Sequence, residues 1–310
     1  MKKIFFTIFS ISQICFLLLC PREALAAAKE GMNLWLNILL PTLLPFLILT
    51  GILIQTDMTE KLLKPAEIIW NRVLGISSAG AYAVLIGVLC GYPVGAKITS
   101  DLYENHQIGK SEALYLLTFT NHASPIFIRT YLCHICLGDQ IPVNRIFGVL
   151  FLADLAVMLF FRFAVFKDKM LWLSASEKKK TSVSSSSGAF LDASIMNGFE
   201  TITRLGGYIL LFSILSAFIG CFWNMENILG YIVSGSLELT TGLCHLQNAK
   251  IHLLGKYLLA IFFTAFGGIC ITFQTRSLVT RELSLIPYIT AKLLNGTIAV
   301  IVALFFAQIV

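Results

Sequence analysis

The chain has 310 residues, of which 57% are hydrophobic and only 13% are charged, and its mean hydropathy is +0.81. Soluble domains carry about 25% charged residues, so the composition excludes a soluble domain and indicates an all-α polytopic membrane protein. The formal charge of +6 is concentrated in a few loops. This agrees with the positive-inside rule and not with the basic folded face of a nucleic-acid-binding protein.

Neither a metal centre nor an enzyme is indicated by the motifs. The eight cysteines are scattered through apolar segments, and the lone C-x-x-C at residues 133–136 lacks the second ligand pair of a structural zinc site. The chain contains no H-E-x-x-H, no G-x-S-x-G and no paired membrane aspartates. We therefore expect no metal, no cofactor and no enzymatic activity.

Residues 1–30 begin with two lysines and an apolar run, residues 4–20, followed by the small-residue tripeptide Ala24-Leu25-Ala26. This pattern fits an uncleaved first membrane helix, which we favour, and also a signal peptide with a cleavage box. In either case a short external loop is predicted before residue 31.

Residues 31–165 form the first predicted repeat. After an apolar span at residues 34–54 and an amphipathic segment at 58–75, which is predicted on the cytoplasmic side, comes the heptapeptide GYPVGAK at residues 91–97. Gly91, Pro93 and Gly95 would break the preceding helix at membrane depth, where broken backbone is tolerated only beside protein or a water-filled cavity. The alternative is a helix that ends at the interface, with Lys97 extending to water.

Two further features complete this repeat. Residues 112–137 are interrupted around Pro125, and each flank of about 10 residues spans about 15 Å, or half a bilayer. This length predicts a re-entrant hairpin that enters from outside. Residues 143–165 form a span with Asp154 near its middle, and a charge at that depth is a functional candidate by default.

A Lys- and Ser-rich cytoplasmic linker, residues 166–196, separates the first repeat from a second one at residues 197–310. The spans of the second repeat are predicted at residues 205–223, 228–246, 253–283 and 285–310. Gly235 and Gly242 are predicted to break the second of these spans, with Glu238 between them, and the third is broken at Gly267 and Gly268.

The two halves match each other weakly, at two spacings: residues 43–46 match residues 209–212 at 166, and the positions after the amphipathic segment match at 144. Gly91 and Gly235 are 144 residues apart, and residues 114–124 match residues 258–268 at the same spacing. A hairpin at residues 112–137 keeps the Lys-rich linker on the cytoplasmic side, and the same pattern gives the second half the opposite orientation. The sequence therefore predicts two inverted repeats with discontinuous helices and re-entrant hairpins, which is the architecture of secondary transporters.

Four motifs together carry a family resemblance: LLPF at 43–46, GYPVGAK at 91–97, N-x-x-S-P-x-F at 121–127, and E-x-T-x-G at 238–242 with F-G-G at 266–268. Over residues 31–290 the chain resembles the YlbJ-type sporulation integral membrane proteins, within the wider nucleoside-recognition (Gate) domain group. The resemblance implies a multi-pass protein of the mother-cell-derived outer forespore membrane. The implied activity is movement of dipicolinate, a small aromatic dianion, from the mother cell toward the forespore.

Eight side chains are candidates for solute binding: Tyr92, Lys97, Asn121, His122, Ser124, Glu238, Thr240 and Thr241. Lys97 would supply positive charge and Tyr92 an aromatic face, while the half-helices after Pro125 and Gly268 would direct N–H groups at a carboxylate. Asp154 and Glu238 are expected to couple to protons or to pair with Lys97. Helix–helix packing is the alternative role for the Ser and Thr side chains.

Two other functions stay open. One is transport of a nucleoside or another neutral polar solute, and the other is a non-transporting membrane scaffold for sporulation. The expected partners are the lipid bilayer and a small solute, with no nucleic acid, and a homo-oligomer is left open.

Overall fold

The computed structural model describes residues 2–56, 58–64, 70–167, 187–223 and 227–307, and in these ranges the regular structure is entirely helical. By length and composition, five of the described helices can cross a membrane: Pro21–Gln55, Val143–Val165, Phe190–Phe222, Leu253–Leu278 and Ile286–Phe306. A helix satisfies its own backbone hydrogen bonds, which is the requirement for a segment surrounded by lipid.

The N-terminal part is helical throughout. Lys2–Leu19 is followed by Pro21–Leu34, a π-helical turn at Trp35–Leu39, and Leu40–Gln55. The predicted short external loop before residue 31 is therefore wrong. Pro21 starts its helix, where the missing backbone N–H has no partner to lose. In the π-helical turn the Leu40 N–H bonds to the Trp35 carbonyl, so the chain stays helical up to the second proline, Pro41.

The first hairpin consists of Ser78–Cys90 and Val94–Glu104, which pack against each other after the chain reverses at residues 91–93. A Cβ atom added to Gly95 would lie 3.1 Å from the Gly87 Cα and 1.9 Å from the Thr120 carbonyl oxygen. Only bare glycine backbone allows these three segments to approach so closely. The hairpin thus depends on the glycines of this segment.

The first broken helix consists of Lys110–Leu117 and residues 125–136, separated by the non-helical residues 118–124. Its start lies beside the start of the hairpin, where Glu112 accepts a 2.7 Å hydrogen bond from the Ser77 N–H. Its far end packs with Leu246 and Ala249 of the second half. The hairpin predicted at residues 112–137 is therefore wrong, because the chain continues past this break and reverses at residues 91–93 instead.

In the second half, the long helix Ser187–Phe222 begins inside the predicted linker, and residues 168–186 of that linker, with the three-lysine run, lie outside the described residues. The second hairpin consists of Ile228–Leu237 and Leu239–Gln247, which pack against each other and meet at Glu238. The predicted breaks at Gly235 and Gly242 are therefore wrong, because both glycines lie inside these helices and the backbone leaves the helical conformation at Glu238. A Cβ atom added to Gly242 would lie 2.2 Å from the Gly235 Cα, so glycine again permits the contact between the two arms.

The second broken helix consists of Leu253–Phe266 and Gly268–Leu278, and the last helix is Ile286–Ala307. The predicted break is confirmed, since Gly267 and Gly268 both have positive φ angles. The predicted hairpin at residues 253–283 is wrong, because Leu253–Leu278 is long enough to cross a membrane and its two ends contact opposite ends of the molecule.

We name the two ends of the molecule after Gln107 and Asp139. At the Gln107 end, Gln107 Nε2 donates to the Ile54 carbonyl at 2.8 Å and the Thr280 N–H donates to Ser100 Oγ at 2.9 Å. The segments gathered there are residues 54–56, 58–59, 100–107 and 277–282.

The Asp139 end gathers residues 137–143 and 246–252. The exposed Asp139 carboxylate is hydrogen-bonded to His134 at 2.8 Å and to Arg129. The His134 hydrogen bond first and the Arg129 hydrogen bond second lower the pKa of Asp139 below its usual value.

Candidate functional site

An inner cavity of about 400 Å³ lies between the tips of the two hairpins. Its wall is mainly apolar, with polar groups contributed by Tyr92, Ser124, Glu238, Thr240 and Gln274. A largely apolar cavity with a few converging polar groups is the usual form of a small-molecule site, and this volume is within the common range.

Three aromatic rings form one side of the inner cavity. The Tyr92 ring meets Phe127 edge-on at a centroid distance of 5.9 Å, and Phe127 stacks on Tyr131 at 5.0 Å. All three residues line the cavity. A planar aromatic solute would find a matching face there.

The tip of the first hairpin is joined directly to the first broken helix. The Tyr92 N–H donates to the His122 carbonyl at 2.7 Å. Gly91 has a φ of +77°, and a Cβ at this position would lie 2.5 Å from the Ser124 nitrogen. The predicted break residues therefore position Tyr92 and Ser124 on the same cavity wall.

Glu238 is 4% exposed and caps the second arm of the second hairpin. Its carboxylate accepts hydrogen bonds from the Thr241 N–H at 2.7 Å, from the Thr240 N–H at 3.1 Å and from the Thr240 hydroxyl. The positive end of that helix stabilises the carboxylate charge. Among the described residues that line the inner cavity, Glu238 carries the one formal charge.

Lys97 does not line the inner cavity. It forms an ion pair with Asp101, one helical turn further along the same arm of the first hairpin. The predicted pairing of Lys97 with Glu238 or Asp154 is therefore wrong, because the turn of the helix brings a closer carboxylate beside it. Lys97 instead lines a second space at the Gln107 end, which we call the vestibule.

The vestibule comprises two adjoining spaces of about 760 and 750 Å³. Five lining residues are common to both, including Lys97, Glu200 and Arg204. The charged residues around it are the cations Lys97, Arg204, Arg276 and Arg281 and the acids Asp101, Glu104 and Glu200. Lys97 pairs with Asp101 and Arg204 with Glu200, whereas no ion pair of Arg276 or Arg281 is found in the described parts of the chain.

A buried polar cluster lies behind the inner cavity. Asn121 Nδ2 donates to Thr275 Oγ1 at 3.1 Å and to the Tyr288 hydroxyl at 3.2 Å. The Asn121 carbonyl accepts a 3.0 Å hydrogen bond from the Lys292 ammonium, which is 2% exposed. Asn121 is thus a link between the first broken helix and the last helix and does not line the inner cavity.

Asp154 belongs to the same region. Its carboxylate accepts a 2.7 Å hydrogen bond from Asn295 Nδ2 on the last helix, one turn beyond Lys292. The sequence analysis identified Asp154 but missed Lys292 and Asn295. The rule applied to Asp154, that a charge inside an apolar span is a functional candidate, applies equally to Lys292.

The two remaining candidates are separate from the inner cavity. The half-buried His122 ring contacts the Ala123 carbonyl at 3.2 Å. Thr241 lines a smaller space of about 230 Å³ with Glu30 and His245. Four of the eight candidates therefore meet at the inner cavity: Tyr92, Ser124, Glu238 and Thr240.

Membrane-capable helices, two helical hairpins and two broken helices around the inner cavity define an all-α polytopic membrane protein. The chain is 24% identical to the sporulation integral membrane protein YlbJ of Bacillus subtilis (strain 168), over 322 aligned residues that include 91% of this chain and 77% of that protein. This similarity supports the YlbJ-type resemblance that the motifs indicate. No family model and no solved structure matches the chain.

Proposed function

We propose that the protein is a sporulation-associated membrane transporter that moves a small anionic solute, with dipicolinate as the first candidate, from the mother cell toward the forespore. The name of the Bacillus subtilis relative connects that protein to sporulation. The outer forespore membrane is the corresponding location, and dipicolinate is the solute that the family resemblance implies.

The observation that carries this proposal is a vestibule with more cations than acids that adjoins the inner cavity. Two helices line both spaces. On Ser187–Phe222, Arg204 lines the vestibule and Leu205 lines the inner cavity; on Gly268–Leu278, Arg276 lines the vestibule and Gln274 lines the inner cavity. A concave surface with unpaired arginines concentrates anions. A solute attracted there would be one helical turn from the inner cavity.

Charge distribution supports a cytoplasmic Gln107 end. The exposed Lys61, Lys64 and Arg72 follow the helix that ends at this end, and Arg162 donates to the Arg72 carbonyl at 2.8 Å. Arg162 also precedes the Lys-rich linker by only a few residues. Since cytoplasmic loops carry an excess of lysine and arginine, the vestibule would open to the mother-cell cytoplasm.

Inverted repeats are part of the same proposal. Each half has a hairpin, a broken helix and a straight helix in the same order. The first hairpin opens toward the Gln107 end and the second toward the Asp139 end, as their contacts indicate. Two hairpin tips that meet from opposite sides at a central cavity are typical of secondary transporters.

A neutral aromatic solute such as a nucleoside is the second candidate. It is favoured by the inner cavity itself, whose described lining has four aromatic rings and a carboxylate but no lysine or arginine. An anion in this cavity would have to tolerate Glu238 or bind while Glu238 is protonated.

The two candidates are separated by uptake into vesicles that contain the purified full chain, with dipicolinate and nucleosides measured side by side. If the vestibule collects anions, the double variant Arg276→Gln/Arg281→Gln should lower dipicolinate uptake, and added salt should lower wild-type uptake. The control is Lys250→Gln, which removes a cation from the Asp139 end.

Uptake of nucleosides without dipicolinate would refute the anion assignment. Absence of uptake of either solute by a folded protein would support the membrane scaffold instead. An unchanged dipicolinate rate in the double variant would contradict the role of the vestibule.

A further inference from the structure

Lys292 is a buried ammonium group that the proposed solute sites do not use. Its Nζ donates to the Asn121 carbonyl at 3.0 Å and lies 6.0 Å from the centre of the Tyr92 ring. No ion pair of Lys292 is found in the described parts of the chain. An ammonium without a paired carboxylate is costly to bury, by several kcal/mol, so its retention requires a reason.

The surroundings of Lys292 have unused hydrogen-bonding capacity. Asn121 Oδ1 and Asn295 Oδ1 are buried acceptors without a partner in the structure. An ammonium has three donors, and among the described residues the one hydrogen bond found for Lys292 is to the Asn121 carbonyl. Buried polar groups are normally satisfied, so an ammonium with spare donors beside two spare acceptors is a candidate for a functional role.

The carbonyl that Lys292 contacts belongs to residues 118–124, where the first broken helix is interrupted. In transporters with interrupted helices, the unwound carbonyls of such a break coordinate the coupling Na⁺ or receive the coupling proton. Here a covalently attached cation occupies that position.

We propose that the Lys292 ammonium is a built-in cation at the broken helix, so that transport needs a proton on Lys292 and does not need sodium. This inference depends on the proposed transport function. The coupled species is then a proton, which water delivers to Lys292 and which Lys292 returns to water when the cavity is open.

Tyr92 connects this cation to the solute. Its ring lines the inner cavity, its ring centre is 6.0 Å from the Lys292 Nζ, and its N–H is bonded to the His122 carbonyl of the same break. An anion bound at the aromatic wall would favour the protonated amine by Coulomb attraction, and its departure would favour proton release. A proton and one negative charge would therefore move together.

Charged and titratable groups around Lys292 come from each neighbouring element. Asp154 of Val143–Phe160 is close enough for its charge to act on the ammonium, and Tyr288 of the last helix bonds to Asn121. Beyond Tyr92, the second hairpin contributes Glu238, whose charge acts on Tyr92.

Two other helices pack on the last helix. The helix Leu253–Phe266 contacts the last helix through Phe262, which packs against Gly296. Its titratable residues are Lys256 and Tyr257, in its first turns. Lys110–Leu117 carries Glu112, whose carboxylate is bonded to the Ser77 N–H. Asp154 is therefore the charge that has to be controlled in the pH experiment, by Asp154→Asn.

The test is dipicolinate uptake by vesicles in sodium or in choline medium between pH 6 and pH 9. Wild-type uptake should be equal in the two media and should vary with pH. Lys292→Arg keeps a cation that does not release its proton, so any uptake it retains should stay independent of sodium, be uncoupled from the proton and show no pH dependence. Lys256→Arg, which alters another lysine bonded to a backbone carbonyl, should behave as the wild type.

A second measurement needs no transported solute. In Lys292→Ala the vacated carbonyl should accept a small free cation, so Na⁺ or methylammonium, but not choline, should raise the thermal unfolding midpoint of the purified variant. The same cations should not shift the wild type. If the alanine variant does not fold, Lys292→Met, which keeps an apolar stem of similar length, is used for the same measurement of the unfolding midpoint with Na⁺, methylammonium and choline.

Failure of the two proposals is distinguishable. A wild type that moves neither dipicolinate nor nucleosides refutes transport, while the unfolding measurement still decides whether Lys292 occupies a cation site. Sodium-dependent wild-type uptake overturns the inference with transport intact. So does an unaltered pH profile in Lys292→Arg, or an unfolding midpoint of Lys292→Ala that Na⁺ and methylammonium leave unchanged.

Discussion

Substitution of Gly95 by alanine tests how the first hairpin is held against the first broken helix. The new Cβ would lie 1.9 Å from the Thr120 carbonyl oxygen, whereas ordinary contacts begin at 3.4 Å. The hairpin and the break would have to separate by about 1.5 Å, and a forced separation in a close-packed interior costs about 3 kcal/mol.

The thermal unfolding midpoint of the purified full chain in detergent measures this cost, and we expect a fall of roughly 6 °C. Gly255→Ala is the matched control, because Gly255 is also helical but has nothing within 4 Å of an added Cβ. That control should be neutral or slightly stabilising, since alanine is favoured over glycine in a helix by about 0.5–1 kcal/mol. Equal midpoints for the two variants would refute the close approach of Gly95 and Thr120.

Three further predictions concern charge and topology. Lys97→Ala should destabilise the protein by about 3 kcal/mol because it leaves the Asp101 carboxylate buried and unpaired, whereas Lys97→Ala/Asp101→Asn should fold normally, as measured by thermal unfolding. Lower dipicolinate uptake by the folded double variant would assign Lys97 to the solute, and unchanged uptake would restrict it to structure. Cysteines introduced at Asn105 and Lys250 should react from opposite sides of the membrane, with Asn105 cytoplasmic, and labelling of both from one side would contradict the inverted repeats. The pKa of Asp139 is lowered in the folded protein, so the ionised Asp139 should stabilise the fold above the pKa of the unfolded chain, and this stabilisation should be lost as the pH falls through the folded pKa. Wild type and Asp139→Asn should therefore differ in thermal unfolding midpoint at pH 7 and converge in acid. A difference that persists in acid would exclude the Asp139 charge as its cause.

The positions of the helix breaks were predictable from sequence. Glycine and proline near Gly91, Pro125 and Gly267 interrupt apolar runs, and the structure has a break at each of them. The capping role of Glu238 was not predicted, although an acidic side chain before a helix can accept its first N–H groups. These features depend on residues adjacent in the chain.

The direction of the chain after each break was not predictable in the same way. Half-length flanks led to hairpins at residues 112–137 and 253–283, but the reversals occur at residues 91–93 and at Glu238. A reversal needs two helix surfaces that can touch, as Gly87 with Gly95 and Gly235 with Gly242 allow. Such pairs are recognised only when both arms are known to be neighbours.

By itself, the sequence determined that the chain is a helical membrane protein, where its helices break and which family it resembles, because hydropathy, glycine, proline and motif spacing act locally. Tertiary structure decided which charges meet. It brought Tyr92, Ser124 and Glu238 to one cavity, paired Lys97 with Asp101 outside it, and set Lys292 against the Asn121 carbonyl. These contacts join residues from both halves of the chain, and their energies depend on burial and distance, which only the folded molecule supplies.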